Sequence, residues 1–149
     1  MPGTEDLATP LRIGVGLEAR PTDLGAGPEA RPTGIRAVTV DPPLVLGPMA
    51  GTTNRVFRLL CREAGAGLVC SEMVSINAIA QGNERTLRML RTFENEHPVS
   101  IQLFGAAPAL MRAVAPAVVA AGADLIDINM GCAVPKVRSA AAGVALMAD

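Results

Sequence analysis

Tryptophan and tyrosine are absent from this sequence of 149 residues, and phenylalanine occurs three times. That excludes a single-strand nucleic-acid binder of the kind that stacks bases on an aromatic platform. An excess of positive charge is lacking too: 13 basic side chains meet 14 acidic ones, for a formal charge of −1. No global field recruits a polyanion, so any contact with RNA has to be local. The three cysteines, Cys61, Cys70 and Cys132, share no close spacing, and an odd count makes a poor disulfide framework. Such usage points to a reducing cytoplasm. With one histidine, His97, and no paired ligand spacing, little is available to hold a metal. The opening MPGTEDL is acidic and lacks an apolar run, which argues against a secretory signal. The longest apolar stretch, 99–123, is interrupted by Pro108, Arg112 and Pro116, which argues against a membrane span. Neither G-x-G-x-x-G after a strand nor G-x-x-x-x-G-K-[ST] occurs, so a Walker-type nucleotide site has no support.

What is present is a core. Half of the residues are hydrophobic, 18% are charged, and mean hydropathy is positive, as for one folded domain. Residues 1–34 differ. They are rich in Gly, Pro, Thr and Glu, repeat the pentapeptide EARPT at 18–22 and 29–33, and read as a low-complexity, loosely ordered arm. From Ile35 the texture changes, with a short strand expected over Ile35–Val40 before the Asp41-Pro42-Pro43 turn. Four near-continuous apolar runs follow, at 44–50, 67–73, 99–104 and 124–130, as expected of parallel strands covered on both faces. Between the first two, Thr53 or Asn54 can cap a helix over 54–65, with Val56, Phe57, Leu60 and Cys61 at helical spacing and Gly65 at its end. A second helix is expected over 108–121, started by Pro108, stopped by Gly122, and kinked or broken at Pro116. Leu87 and Leu90, with Arg85, Arg88 and Arg91, suggest an amphipathic turn or two within 75–91. Alternating strand and helix is the signature of βαβ units. Four such units fit either a whole open sheet or half of an eight-stranded barrel, which needs about 250 residues.

Polar residues inside these runs carry the functional argument, because burying an unsatisfied amide or carboxylate costs several kcal/mol. Ser100 and Gln102 share one face of the third run, and Asp127 and Asn129 share one face of the fourth. The second run ends in Cys70-Ser71-Glu72-Met73. The first ends in Gly47-Pro48-Met49-Ala50-Gly51, where backbone can approach a ligand closely. All lie near C-terminal strand ends, where parallel α/β folds build their sites. Cys132 follows Gly131 at the end of the fourth run and reaches the same pocket. An ordinary thiol, with a pKa of about 8.5, is mostly protonated at neutral pH and can donate a proton as well as attack. Cys61 and Cys70 read as core packing, and His97 as a solvated loop residue. Lys136 and Arg138 form a small basic pair beside Cys132.

The segments GPMAGTTNRVFRLLCREAGAGLVCSEMVS, VSIQLFG and DLIDINMGCAVPKV together resemble the tRNA-dihydrouridine synthases, particularly their bacterial forms. The resemblance runs from about Ile35 to the end, with P-M-A-G, S-E-M-V-S, Q-L-F-G and D-I-N-M-G-C in order. It implies an α/β fold, a flavin-binding TIM barrel of which residues 35–149 are the N-terminal half, about the first four βα units. It implies reduction of uridine in tRNA to 5,6-dihydrouridine by FMN, with NADPH as electron donor, no metal, and tRNA bound mainly through a domain outside this sequence. By position, Pro48, Met49 and Ala50 would cradle the flavin ring, Gln102 would bond its polar edge, and Asn129 would lie between flavin and base. Cys132 matches the family's general acid. The sequence departs from the family at Ala133, where proline usually follows the cysteine and its replacement would loosen the loop. It departs again at Ser139 and Ala141, where lysine and glycine are common. The later flavin lysine and histidine and the phosphate-binding glycine loops have no counterpart here. A truncated, by itself inactive enzyme is therefore expected. The alternatives are a flavin barrel of the dihydroorotate-dehydrogenase kind and a half-barrel remnant without activity.

Overall fold

In the computed structural model, residues 38–148 are described. The arm at 1–34 and Ile35–Ala37 lie outside them, and Val38–Val40 form no strand. Five short strands are present: β1 (Val45–Leu46), β2 (Leu68–Cys70), β3 (Val74–Ser75), β4 (Val99–Phe104) and β5 (Leu125–Ile128). Only β4 has the length its apolar run suggested. β1 stops early because Pro48 has no N–H to give to a ladder, and the chain then turns at Ala50–Thr52. The run at 67–73 splits for a different reason. Val69 faces Val99 and Val74 faces Leu103, so five residues on one side span four on the other. Ser71–Met73 thus hold one extra residue, a bulge between β2 and β3.

Every pairing is parallel, and with β2 and β3 taken as one interrupted strand the order across the sheet follows the chain. A doubly wound open sheet reverses its order at a switch point. This sheet does not, and its order is consistent with a partial TIM-like barrel. Its outer strands, β1 and β5, each have a single partner among the described residues.

Four helices lie between the strands, α1 (Arg55–Glu63), α2 (Ile76–Ala80), α3 (Glu84–Met89) and α4 (Pro108–Ala120), and α5 (Pro135–Arg138) follows β5. The side chain of Asn54 caps α1 by accepting from the N–H groups of Val56 and Phe57. Residues 75–91 hold α2 and α3, with Leu90 buried and Arg85, Arg88 and Arg91 exposed. α4 runs through Pro116 without a break. Pro116 and Arg112, whose carbonyl loses a donor, are both exposed, so water can replace the missing bond. The core lies on the helix side of the sheet: Val69, Val99, Ile101 and Leu103 pack with Ile76, Ile79, Val114 and Val118, all without exposed surface. Burying each such side chain contributes about 1.5–3 kcal/mol. α1 corrects the expected apolar face. Phe57 and Cys61 are half-buried, but Val56 and Leu60 are 59% and 55% exposed, and the side chain it buries is that of Arg58.

Candidate active site

Alternation along β4 sends Val99, Ile101 and Leu103 to the helices and Ser100 and Gln102 to the opposite face. On β5, Ile126 packs with the core, and Asp127 turns toward Gln102, its register partner. The two side chains meet: Gln102 Nε2 donates to Asp127 Oδ2 at 2.6 Å. Just beyond β5, Asn129 Nδ2 donates to Gln102 Oε1 at 2.9 Å, and Asn129 Oδ1 accepts from the Cys132 N–H at 3.0 Å. One unbroken line of hydrogen bonds therefore runs from Asp127 to the backbone of Cys132. Gln102 is 6% exposed, Asn129 and Cys132 are half-buried, and the line opens outward at Met130 and Gly131. The structure thus brings Gln102, Asn129 and Cys132 together at the C-terminal ends of β4 and β5.

The Cys132 carbonyl is held as well, accepting from Val144 N–H at 3.0 Å. Val144 belongs to a 3₁₀ turn, Gly143–Met147, where Gly143 adopts φ +63°. A Cβ on Gly143 would lie 2.4 Å from the Cys132 oxygen. Proline after Cys132 is thus not needed to hold this loop, which is anchored on both sides of the thiol. Ala141 has φ +53°, a left-handed conformation that costs an L-residue about 1–2 kcal/mol and that glycine adopts freely. Lys136 and Arg138 are exposed on α5.

Pro48, Met49 and Ala50 form a separate wall after β1. All three are exposed, and no described hydrogen bond joins them to the Gln102 group. Their loop is nonetheless rigid. Met49 N–H donates to Thr53 Oγ1, whose hydroxyl donates back to the Met49 carbonyl. Gly51 N–H donates to Glu72 Oε2 at 2.7 Å. Glu72 sits in the bulge after β2, beside Ser71, whose Oγ accepts from the Gln102 N–H. The bulge therefore braces both walls. An acidic residue in an apolar run was the sequence signal for Glu72, but nothing there indicated Gly51 as its partner.

Cys70 is buried, as expected, but it alternates with Val69 and so lies on the polar face. Burial raises its thiol pKa, and the nearby Asp127 carboxylate raises it further, against a smaller lowering from Ser100 and Arg58. Cys61 packs against the core. His97 corrects the reading of a solvated loop residue. Its Nδ1 lies 2.6 Å from Asp124 Oδ2, which also accepts from Val99 N–H, and its side chain is 35% exposed. The partner is 27 residues away in sequence, so no local spacing announced it. Among the described residues, no group of three or more His, Cys, Asp or Glu could hold a metal, and no helix is long and apolar enough to cross a membrane.

Residues 45–149 match the family model described as Dihydrouridine synthase (Dus). The chain is 46% identical over 112 residues to tRNA-dihydrouridine synthase B of Pseudomonas aeruginosa, covering 74% of this chain and 33% of that protein. It is 48% identical over 107 residues to the enzyme of the same name from Pseudomonas putida, covering 71% and 32%, and 43% identical over 111 residues to that from Xanthomonas campestris, covering 74% and 33%. The matched stretch is thus about one third of these relatives' length. The family match contains the whole Asp127-to-Cys132 line, and the chain belongs to the dihydrouridine synthase family.

Proposed function

We propose that residues 35–149 supply the first four βα units of a barrel that reduces uridine in tRNA to 5,6-dihydrouridine, using FMN and NADPH in the cytoplasm. The observation that carries this reading is the hydrogen-bonded line that ends on Cys132. The donor set suits a flavin ring. Gln102 keeps one amide hydrogen and one carbonyl lone pair beyond its bonds to Asp127 and Asn129, while Asn129, whose second amide hydrogen goes to Met73 Sδ at 4.0 Å, keeps one carbonyl lone pair. Met49 and Met130 expose apolar surface at the rim, and added side chains at Gly47, Gly51 or Gly131 would meet nothing within 4 Å. Pro48, Met49 and Ala50 would support the ring, Gln102 its polar edge, and Asn129 the gap between ring and base.

When bound, FMN would supply the hydride for uracil C6. Cys132 then gives its thiol proton to C5, and the saturated C5–C6 bond is complete. A general acid placed this way contributes about 10²–10⁴ in rate. The uridine has to leave its stack to reach this floor, at a cost of a few kcal/mol that tRNA binding offsets. The chain on its own we read as inactive. Its sheet has two open edges among the described residues, and a cofactor gripped only around its ring binds weakly.

The test is a chimera in which residues 45–149 replace the matched segment of the Pseudomonas aeruginosa relative, followed through single turnovers. The chimera is expected to form dihydrouridine. Cys132→Ala within it is expected to leave flavin reduction by NADPH intact and to slow uridine reduction by about 10²–10⁴. Parental turnover by the alanine variant would remove Cys132 as the acid. An inert chimera that binds flavin normally would count against the whole assignment, and dihydrouridine formed by the 149-residue chain alone would sink the reading of inactivity.

A further inference from the structure

We infer that Asp127 is a positioning residue: its carboxylate sets the direction in which the amides of Gln102 and Asn129 point, and thereby fixes the loop that carries the Cys132 thiol. This rests on the reading of Cys132 as proton donor and adds the device that aims it.

The argument is one of polarity. An ionised carboxylate only accepts hydrogen bonds, and a backbone N–H only donates. Asp127 and the Cys132 N–H are these two unlike ends, and between them stand two primary amides, each able in isolation to face either way. Only one direction satisfies all three contacts, at 2.6, 2.9 and 3.0 Å. Turning both amides over would set oxygen against oxygen at Asp127 and N–H against N–H at Cys132. The backbone under Gln102 does not yield, because Ser71 Oγ holds its N–H at 3.0 Å. Nor does water readily repair a broken link beside a side chain 6% exposed.

Asp127 has no Lys, Arg or His partner within ion-pair distance among the described residues, so its charge is not balanced by a bridge. Its carboxylate is directed at the amide line, and the same charge is felt by Cys70 behind it. Beyond Cys132, Val144 holds the carbonyl on the other side of the thiol. The polarity set at Asp127 therefore determines one of the two anchors of Cys132, three hydrogen bonds away.

The three cysteines give a built-in readout, since Cys61 and Cys132 are half-buried and Cys70 is buried. Site-resolved alkylation of the 149-residue chain by iodoacetamide, quantified by mass spectrometry, reports each separately. Asp127→Ala is expected to raise the Cys132 rate about tenfold, as the loss of one buried hydrogen bond allows, with Cys61 near its parental rate and Cys70, freed of the Asp127 charge but still buried, rising less than Cys132. Asp127→Asn keeps an oxygen that can receive the Gln102 amide, and Cys132 is expected to stay near its parental rate. Asn129→Ala removes the last two links while leaving Asp127 in place and is expected to reproduce the Asp127→Ala pattern, which covers the case in which Asp127→Ala fails to fold. Three outcomes overturn the proposal: no change at Cys132 in either alanine variant, a joint rise at all three cysteines, or equal effects of Asn and Ala at 127. Should the Cys132→Ala chimera retain full activity, the proton-donor reading falls while the alkylation pattern still decides what Asp127 holds.

Discussion

Two polar networks cross this molecule, and they differ in what each leaves over. The first is closed. Arg58 donates through Nε and Nη2 to the Glu96 carboxylate at 3.0 and 3.1 Å, and to the carbonyls of Thr53 and Arg91. Glu96 also accepts from Phe93 N–H, and the two side chains are 2% and 0% exposed. All three guanidinium nitrogens and both carboxylate oxygens have protein partners in a site closed to solvent, so this network can only hold things together: α1, the turn at Thr53 and the segment before β4. The second network, Asp127 to Cys132, has the same chemistry but an open end, with one amide hydrogen of Gln102 and the carbonyl lone pairs of Gln102 and Asn129 unmatched beside a half-buried mouth. Burial of polar groups does not by itself mark a site. Capacity left unmatched at an accessible end does.

The sharpest way to break the comparison is at the closed network. Glu96→Ala leaves the Arg58 guanidinium buried without its counter-charge, and a loss of about 3–5 kcal/mol in unfolding free energy is expected, read from urea denaturation. Replacing both partners, as Arg58→Met with Glu96→Leu, is expected to recover most of that loss. A mild single variant would mean that water or another carboxylate reaches Arg58, and the network would not be closed. No comparable cost is expected from Asn129→Ala, whose side chain already borders the mouth.

A smaller effect is expected at the far anchor of the open network. Gly143→Ala forces φ +63° on a residue with a Cβ and drives that carbon against the Cys132 carbonyl and Val137 Cγ1. The expected cost is about 1–3 kcal/mol, with faster hydrogen exchange at the Val144 amide that bonds Cys132. Unchanged exchange there would mean that the turn is not an anchor for the thiol.

The two networks were not equally legible. The placement of Gln102 and Asn129 could be read from the chain because polar residues at period two in apolar runs are conspicuous, and that of Cys132 because it follows Gly131 where the last run ends. β4 was legible to its ends for the same reason. Arg58 with Glu96 was hidden, since the partners lie 38 residues apart and each looks like an ordinary surface charge. The β2–β3 bulge was hidden too, because an extra residue changes register without changing composition. The early end of β1 could have been seen in Pro48. What a sequence conveys poorly is pairing across distance, and both the His97–Asp124 contact and the Glu72 brace on Gly51 are of that kind.

The finest test concerns Cys70, which lies behind the open network and senses its charge. Its thiol pKa is raised chiefly by burial and next by the Asp127 carboxylate. A raised folded-state pKa means that, above the ordinary thiol value, the folded chain holds a proton that the unfolded chain has released. The stability tied to that proton is fully present below the ordinary thiol pKa and is lost as pH rises through the raised one. Unfolding free energy is therefore expected to fall along an alkaline limb that begins at the ordinary thiol range. Cys70→Ala should flatten the limb. Asp127→Asn should make it shallower without abolishing it, because the larger cause, burial, remains while the charge is gone. The effect is small, and it is measured as the difference between urea midpoints of parent and variants across that pH range. An Asp127→Asn limb identical to the parent's would mean that the carboxylate's charge does not reach Cys70. The open network would then be held together by hydrogen-bond polarity alone, with no field of its own in the mouth of the sheet.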